Sequence, residues 1–436
     1  MHVVIIGNGI AGCSLATALA ERSEHSITLI SEESPYPFAR TSLMYLYMGM
    51  VRMDDVLIHP KDFWKTERIS RIHDRVTQIK PSTKAVVLQH QEMLHYDVLV
   101  IATGSKVHRP FWWAEELQGV TGLYHLRDLQ KIEILTSKYP QSATIAGGGL
   151  IGIELAEMLL SRGISTTMIV RESAYMNHLF PQEEAVIITQ HIRKHGVQLI
   201  LEDEIEELIS QKNAIQYIRL KKHGLLPCTM LGVTTGVLPD HQLASEAGIL
   251  TRRGILVNDN LQTSSPSIYA IGDCAELQHA LPGRKTTEAV WYSARQMGEQ
   301  LAEILVQQRE SYQPRIWYNS AAFFSLHMQQ YGDILPGSSK EIISISWQQP
   351  QKNKSIRVQY HSESKKITGI LCLGVRLRHT VCEQWLSDQT PVEDVIRSWI
   401  RASFEPEFSE NYHQLFQQFA LHVLEHRPST PQQCIQ

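Results

Sequence analysis

Two glycine-rich segments with the same pattern constrain the fold of this chain more than any other feature. Residues 3–12 read VVIIGNGIAG, and residues 143–152 read ATIAGGGLIG. In a strand–turn–helix unit the first glycine makes a tight turn, the second lets the backbone approach a pyrophosphate, and the third lets helix and strand pack closely. One copy alone is weak evidence, but two copies predict two dinucleotide-binding sites, or one site and one relic.

The pattern also predicts which residues contact the cofactors. We expect contacts in the first site from Gly7, Gly9, Ile10, Ala11 and Gly12, and in the second from Gly147, Gly149, Leu150, Ile151 and Gly152. The N-terminus of each helix would offer free N–H groups and a partial positive charge to the phosphates. Ser31 and Glu32 end the next strand after the first site, where a carboxylate that binds ribose is expected.

The strand that follows the second site bears on the choice between NADH and NADPH. An acid at its end is typical of NADH binding, but Val170 stands there. Arg171 is placed to bind the extra phosphate of NADPH, whereas Glu172 could bind a free ribose. We therefore expect Arg171 and Glu172 to contact the coenzyme, and the choice between NADH and NADPH stays open.

Bulk properties exclude several classes of protein. The 436 residues are too many for one hydrophobic core and predict two or three domains. A net charge of −4 without a long basic run argues against a nucleic-acid partner. The most apolar stretch, residues 143–160, contains glycines and two glutamates, so we predict no integral membrane segment. Nothing that resembles a signal peptide precedes the first strand, and we expect a cytoplasmic protein.

Three further segments lead to a family resemblance. Residues 96–105 read YDVLVIATGS, residues 236–239 read GVLP, and residues 267–275 read SIYAIGDCA. With the two glycine patterns, and in this order, they resemble the pyridine nucleotide–disulfide oxidoreductases, a superfamily of flavoproteins with two dinucleotide-binding domains. The resemblance extends from residue 1 to about residue 310.

The resemblance implies an α/β fold with two Rossmann-like domains. An FAD-binding domain (residues 1–112 and 246–315) would be split by an inserted NAD(P)-binding domain (residues 113–245). A C-terminal α+β interface domain (residues 316–436) would follow and cover the flavin, and in the family this domain often forms a dimer contact. The resemblance also implies further cofactor contacts from Arg40, Val76, Ala102, Thr103, Gly104, Gly236, Gly272 and Asp273.

The segment that sets the chemistry in this family contains no cysteine here. Disulfide reductases and NADH oxidases carry one or two redox cysteines in the stretch that corresponds to residues 37–49, where Thr41 occupies the single-cysteine position. Phe38, Arg40 and Leu43 are instead similar to the Tyr-x-Arg-x-x-Leu segment of ferredoxin reductases, nitrite reductase flavoproteins and apoptosis-inducing factor. Disulfide or peroxide reduction through a thiolate is therefore not expected.

The same family resemblance implies which residues are catalytic. Many of these relatives pair a lysine with the glutamate that matches Glu154, and Tyr45 stands at the lysine position here. We expect Glu154, Tyr45 and Thr41 to lie where the nicotinamide meets the flavin. The predicted function is hydride transfer from NADH or NADPH to FAD, and then to a small redox protein or a quinone-like molecule. The alternative is a slow flavoprotein that acts as a redox-dependent binding or scaffold protein.

Two histidine pairs and one apolar stripe have simpler interpretations. His191 with His195 and His422 with His426 have the spacing of metal ligands on a helix, but no third ligand is evident, so we predict surface histidines and no metal. The C-terminal segment has an apolar stripe at helical spacing without a basic polar face. We expect this helix to pack on the interface domain or on a second subunit.

Overall fold

The computed structural model describes residues 1–65, 68–90, 93–113, 117–137, 142–280, 284–404 and 411–426. We call residues 1–113 together with residues 242–315 the N-terminal unit. Its first part contains β1 (His2–Ile6), α1 (Ile10–Arg22), β2 (Ser26–Ser31), α2 (Leu43–Tyr47), β3 (Ile69–His73), β4 (Val76–Lys80), β5 (Ala85–Leu88), β6 (Leu94–His95), β7 (Val98–Ile101) and β8 (Ser105–Val107). Strands β4, β5 and β6 form a separate three-stranded sheet.

The inserted unit, residues 117–239, repeats this arrangement. It contains β9 (Val120–Thr121), α3 (Leu126–Ser137), β10 (Ser142–Ala146), α4 (Leu150–Ser161), β11 (Ser165–Val170), α5 (Gln182–Lys194), β12 (Gln198–Leu201), β13 (Ile205–Gln211), β14 (Ala214–Leu220), β15 (Gly224–Pro227), β16 (Leu231–Val233) and β17 (Val237–Pro239). Five of these strands form a parallel sheet in the order β12-β11-β10-β16-β9, and β13, β14 and β15 form an antiparallel meander.

The chain then returns to the N-terminal unit. This part contains α6 (Gln242–Glu246), β18 (Ile255–Val257), β19 (Ile268–Ala270), β20 (Ala275–Leu277) and α7 (Trp291–Leu305). Strand β19 pairs with β7 and completes a parallel sheet in the order β19-β7-β1-β2-β3. Strands β8 and β17 pair at the crossing between the two units. The predicted α/β fold with two Rossmann-like units is confirmed.

The C-terminal unit, from residue 316 onward, is an antiparallel sheet with helices. Its elements are β21 (Tyr318–Phe323), β22 (Leu326–Gly332), β23 (Ile342–Gln349), β24 (Lys354–His361), β25 (Ile367–Leu373), α8 (His379–Ser387), α9 (Val392–Arg397) and α10 (Tyr412–Glu425). The strand order is β21-β22-β25-β24-β23. Strand β25 ends at Leu373, because Gly374 adopts a φ of +62° and turns the chain.

The duplication of the two Rossmann-like units extends to a buried carboxylate. In the first unit the Asp74 side chain accepts hydrogen bonds from the His90 backbone and lies 2.9 Å from His90 Nδ1. In the second, Asp203 does the same with His223, at 2.6 Å from Nδ1. Burial disfavours the ionised form, but these hydrogen bonds outweigh it and lower the pKa of both carboxyls.

A buried ion pair joins the inserted unit to the C-terminal unit. The Glu184 side chain, at the start of α5, is fully buried. It accepts hydrogen bonds from Ser355 Oγ at 2.7 Å and from Arg357 Nη2 at 2.9 Å, both on β24. Glu183 accepts a further bond from Arg357 Nη2 at 3.1 Å. A carboxylate that is shielded from solvent needs a partner of opposite charge, so the Glu184–Arg357 ion pair fixes how the two units meet.

Two expectations about helix surfaces need correction or refinement. His191 was expected on a helix surface, but it is buried, and burial beside His195 lowers its pKa to about 4. The spacing of apolar residues along α5 does not indicate this burial, because the residues that cover His191 belong to the C-terminal unit. Among them, Asn353 Nδ2 lies 3.2 Å from His191 Nδ1. The C-terminal helix α10 buries Phe416 against Trp399, with ring centroids 4.6 Å apart, as expected for packing on its own unit.

We predict that Arg357→Met lowers the free energy of unfolding by about 3–5 kcal/mol, because it leaves the buried Glu184 carboxylate without a partner. Arg397→Met is the matched control, since Arg397 forms an exposed ion pair with Glu393 and such pairs contribute roughly 1 kcal/mol or less. Urea unfolding followed by circular dichroism measures both. Equal effects of the two substitutions would show that the buried pair does not hold the units together.

Candidate functional site

One large cavity lies where the three units meet. Its volume is about 2200 Å³, and residues of all three units line it. A site for one small molecule usually has roughly 300–1,000 Å³. The space therefore suits ligands larger than a single metabolite, and both glycine-rich segments open onto it.

The first glycine-rich segment, which we call the first cradle (residues 7–12), ends β1 and begins α1. Gly7 has a φ of +108°, and a Cβ atom there would lie 2.1 Å from the carbonyl oxygen of Ala102. A Cβ atom on Gly12 would lie 2.0 Å from the carbonyl oxygen of Gly7. A Cβ atom on Gly9 would meet no protein atom within 4 Å. The outer glycines thus permit close packing, and the middle one leaves open the space where a phosphate would bind.

The second cradle (residues 147–152) has the same geometry. Gly147 has a φ of +120°, and its Cβ atom would lie 2.3 Å from the carbonyl oxygen of Thr234. A Cβ atom on Gly152 would lie 2.8 Å from the carbonyl oxygen of Gly147, and one on Gly149 would meet nothing within 4 Å. Both helices therefore begin beside an open space, as dinucleotide binding requires. The residues present fit two dinucleotides.

Asp273 lies at the edge of the first cradle. Its side chain accepts a hydrogen bond from Ser105 Oγ at 3.0 Å. Burial raises the pKa of this carboxyl, although Ser105 and the charge of Arg40 act in the opposite direction. Gly272 brings the residue close to α1, since a Cβ atom there would lie 2.9 Å from Ala11 Cβ. A buried acceptor at this position suits the hydroxyl groups of a ligand.

Arg40 is fixed by a residue that the sequence analysis missed. Its guanidinium forms a bidentate pair with Glu33, at 3.1 Å and 2.5 Å, and donates to the carbonyl oxygen of Tyr124. Glu33 also accepts a bond from the backbone N–H of Leu126, where α3 begins, at 2.7 Å. Burial alone would raise the pKa of Glu33, but hydrogen bonds from His125 and Arg40 lower it to about 2. Glu33 therefore connects the N-terminal unit to the inserted unit.

Tyr124 is a second residue that no sequence pattern indicated. Its hydroxyl accepts a hydrogen bond from the backbone N–H of Ser105 at 3.2 Å, and Arg40 stacks on its ring at 4.7 Å. Burial and the charge of Asp273 raise the pKa of Tyr124 to about 12. The phenol therefore stays neutral at physiological pH, and Tyr124 lines the cavity.

Glu154, the expected acidic residue of the nicotinamide junction, projects from the first turns of α4 into the cavity. Burial, helped by the nearby charge of Glu157, raises its pKa to about 7. Glu157 lies one helical turn further and also lines the cavity, and burial raises its pKa as well. Thr41 and Tyr45 line the same cavity from the segment around α2. The structure thus brings all three expected catalytic residues to one space.

The structure brings most of the expected cofactor contacts to this cavity. Those that line it are Gly7, Gly9, Ile10, Ala11, Ser31, Glu32, Arg40, Val76, Ala102, Thr103, Gly104, Gly149, Leu150, Ile151, Gly236, Gly272 and Asp273. Gly12, Gly147 and Gly152 instead lie where helix and strand pack.

Arg171 and Glu172 lie beyond the end of β11 and do not line the cavity. Glu172 Oε1 is 3.4 Å from His178 Nδ1, and Arg171 is exposed. Val170 is buried, and its Cγ1 would lie 2.7 Å from a Cβ atom on Gly148. The arrangement does not separate NADH from NADPH.

Two other features, a metal cluster and a membrane-crossing helix, are absent from the described part of the chain. Within the described ranges, no cluster of three or more His, Cys, Asp or Glu side chains could hold a metal ion. Among the same residues, no helix is both long enough and apolar enough to cross a membrane.

Comparisons with curated proteins give relatives that transfer electrons. Over 279 residues the chain is 31% identical to the assimilatory nitrate reductase electron transfer subunit of Bacillus subtilis, covering 63% of this chain and 36% of that protein. It is 28% identical over 280 residues to the rubredoxin-NAD(+) reductase of Pseudomonas putida, covering 63% of this chain and 72% of that protein. The chain thus spans about a third of the Bacillus relative.

Solved structures share the fold at lower identity. The NAD-dependent persulfide reductase from A. fulgidus superposes with a TM-score of 0.84 at 22% identity, over 98% of this chain and 84% of that one. A covalent putidaredoxin reductase–putidaredoxin complex gives a TM-score of 0.79 at 20% identity, over 98% and 99% of the two chains. At this identity the likeness shows the fold alone.

The family follows from the sequence match and from the two cradles together. Residues 1–298 match the family described as pyridine nucleotide-disulphide oxidoreductase. This part of the chain contains both cradles and the segments that carry Asp273 and Gly236. The chain therefore belongs to the pyridine nucleotide–disulphide oxidoreductases, a family of FAD- and NAD(P)H-dependent oxidoreductases, and within it resembles the ferredoxin reductase and nitrite reductase branch.

Proposed function

We propose that this protein is an FAD-dependent oxidoreductase that takes electrons from NADH or NADPH and passes them to an external acceptor. One observation carries the proposal: both cradles leave the middle glycine open, and both face the same cavity. Two dinucleotides bound there would have their ring systems close together, as direct hydride transfer requires. When bound, the flavin supplies the chemistry, accepting a hydride and releasing its electrons.

The residues of the first cradle would hold FAD. Gly9 leaves space for its pyrophosphate, and Asp273 offers an acceptor to the ribityl hydroxyls. Arg40 is held beside the cavity by Glu33, so its remaining donors can approach the phosphates without a change of rotamer. The second cradle would hold NAD(P)H around Gly149 in the same manner. Glu154 would then lie nearest to the reacting rings.

Thiol chemistry is not part of this proposal. Thr41 stands where relatives carry a redox cysteine, and Cys13, Cys228, Cys274, Cys372 and Cys382 are all buried. Burial raises the pKa of each of these thiols. A buried, protonated thiol is a poor nucleophile. The acceptor is therefore expected to react with the flavin itself. The name of the rubredoxin-NAD(+) reductase supports a small redox protein as the acceptor, and a quinone-like molecule is the alternative.

The proposal extends to the organisation of the chain. We infer that the units correspond to an FAD domain (residues 1–112 and 246–315), an NAD(P) domain (residues 113–245) and an interface domain (residues 316–436). The antiparallel sheet of the third unit and its place on the cavity support this division. A homodimer formed through the interface domain and a cytoplasmic location remain predictions.

We predict that Gly149→Val raises the KM for NADH or NADPH by about tenfold or more, because its side chain would fill the phosphate space, and its Cβ atom would meet no protein atom within 4 Å. The variant keeps its flavin, since the first cradle is unchanged. Steady-state kinetics with a fixed acceptor measure the change, and the flavin spectrum confirms that the protein is folded.

Gly337→Val is the matched control for this substitution. Its Cβ atom also meets no protein atom within 4 Å, but Gly337 does not line the cavity. We expect unchanged kinetics for this control. An unchanged KM in Gly149→Val as well would contradict the placement of the coenzyme.

We predict that flavin reduction depends on pH through Glu154. Because burial raises its pKa to about 7, the side chain is neutral below and ionised above that pH. An ionised carboxylate stabilises the positive charge that develops on the oxidised nicotinamide, so the rate constant should rise about tenfold through neutral pH. Stopped-flow reduction without oxygen, repeated across the pH range, measures this dependence.

Two variants test the assignment. Glu154→Gln should abolish the inflection near neutral pH. Glu157→Gln should move it to lower pH, because the charge of Glu157 contributes to the raised pKa of Glu154. An inflection that is the same in the wild type and in Glu154→Gln would assign the titration to another group.

A further inference from the structure

We propose that the part of the cavity wall formed by the C-terminal unit binds a small anionic electron acceptor, with Arg376 as its charged anchor. We call this part the acceptor wall (Ser320, Ala322, His327 and Arg376). The inference rests on the proposed function, because it assigns the acceptor of the same flavin. It narrows that acceptor to one chemical class, a small molecule that carries a carboxylate, sulfonate or phosphate group.

Small side chains leave room for a ligand along this wall. The edge strand β21 has five consecutive half-buried residues that all line the cavity, and four of them are the small or short residues Asn319, Ser320, Ala321 and Ala322. In the antiparallel register, Ser320 is opposite Gln329 and Ala322 is opposite His327. Directly opposite residues point to the same face of a sheet, so Ser320, Ala322 and His327 face one space together.

The segment that carries Arg376 is held on the sheet by specific hydrogen bonds. The backbone N–H of Gly374 donates to the carbonyl oxygen of His327 at 2.8 Å. The backbone N–H of Leu377 donates to Gln329 Oε1 at 2.7 Å. The two bonds flank Arg376 and hold its segment against β22, and Arg376 and His327 both line the cavity as exposed residues. The Arg376 guanidinium stacks on the ring of Phe404 at 4.5 Å, which limits its rotamers.

The charge of the wall selects an anion. Among the described residues that the C-terminal unit contributes to the cavity, none is acidic, whereas Arg376 and His327 are both basic. A guanidinium binds carboxylate, sulfonate and phosphate groups through two parallel hydrogen bonds. On the same face the Ser320 hydroxyl is in hydrogen-bond contact with the hydroxyls of Tyr292, at 3.1 Å, and Tyr318, at 3.4 Å, so polar groups continue along the wall. An aromatic or quinone ring with one anionic group matches these features and would lie beside the flavin.

With such an acceptor, the atoms and electrons of the overall reaction balance without any other redox partner. With a quinone, NAD(P)H and one proton from solvent give NAD(P)⁺ and the hydroquinone. The hydride electrons pass through the flavin, and both oxygen atoms of the quinone gain a proton. The wall residues bind and orient the acceptor in this scheme, and the flavin carries the electrons.

The first test measures binding to the oxidised holoenzyme. Naphthalene-1-sulfonate and the neutral 1-naphthol serve as non-reducible probes, and the change in the flavin absorption spectrum reports binding. We expect the sulfonate to bind more tightly than 1-naphthol. Arg376→Ala should raise the Kd of the sulfonate about tenfold, as expected for the loss of a charge-assisted contact, and should leave that of 1-naphthol unchanged. Arg376→Lys should recover part of the affinity.

Arg378→Ala is the matched control, because Arg378 is exposed two residues further along but lies outside the cavity. It removes the same charge from the same region and should not change the Kd of the sulfonate. An equal rise in the Kd of the sulfonate in Arg376→Ala and Arg378→Ala would overturn the proposal. It would show that the anion is attracted only by the overall positive charge of the region and not by a direct contact with Arg376. Equal binding of both probes to the wild type would also overturn it.

The second test separates this inference from the proposed function. With 1,4-naphthoquinone-2-sulfonate and 1,4-naphthoquinone as acceptors, Arg376→Ala should raise only the KM of the sulfonate, and the rate of flavin reduction by NADH should stay unchanged. Failure of both coenzymes to reduce the flavin would contradict the proposed function alone. The flavin can then be reduced by light, and its reoxidation by the two quinones still tests the wall. An Arg376→Ala substitution that affects reoxidation by the two quinones equally, or affects neither, would contradict the inference.

Discussion

Close backbone contact at the ends of two parallel sheets is the constraint on which the rest of the structure depends. At Gly7 and at Gly147 the turn presses against the end of a neighbouring strand so closely that a side chain cannot fit. An equivalent hydrogen bond holds each turn: the backbone N–H of Gly7 donates to the carbonyl oxygen of Ile30, and that of Gly147 donates to the carbonyl oxygen of Ile169. This contact brings each helix start to the mouth of its sheet, where the middle glycine stays open for a ligand.

Contacts between the units then turn two separate cradles into one site. Glu33 connects the loop after β2 to the start of α3, and Glu184 connects α5 to β24 through Arg357. Both carboxylates are paired by charge-assisted hydrogen bonds, which are stronger than neutral ones. Because one contact joins the inserted unit to the N-terminal unit and the other joins it to the C-terminal unit, the two restrain its position relative to both of its neighbours. The cavity therefore has a defined shape before any cofactor binds.

Contiguous motifs could be predicted from the sequence, whereas contacts between residues far apart in the chain could not. Each cradle is a contiguous pattern, so Gly9 and Gly149 could be placed without coordinates, and the fold class follows from their duplication. The pairing of Arg40 with Tyr124 joins residues that are 84 positions apart, and no periodicity indicates it. His191 was misplaced for the same reason, since the residue that covers it, Asn353, is 162 positions away. The spacing of apolar residues along one helix does not show which of its residues are buried by another unit.

The most direct test of the central claim is the visible spectrum of the purified protein, followed by anaerobic titration with NADH and with NADPH. If two dinucleotides meet in one cavity, the protein is yellow, and one equivalent of at least one coenzyme bleaches the flavin absorption band. A colourless protein that stays colourless after refolding with FAD would contradict the account. So would bound FAD that neither coenzyme reduces.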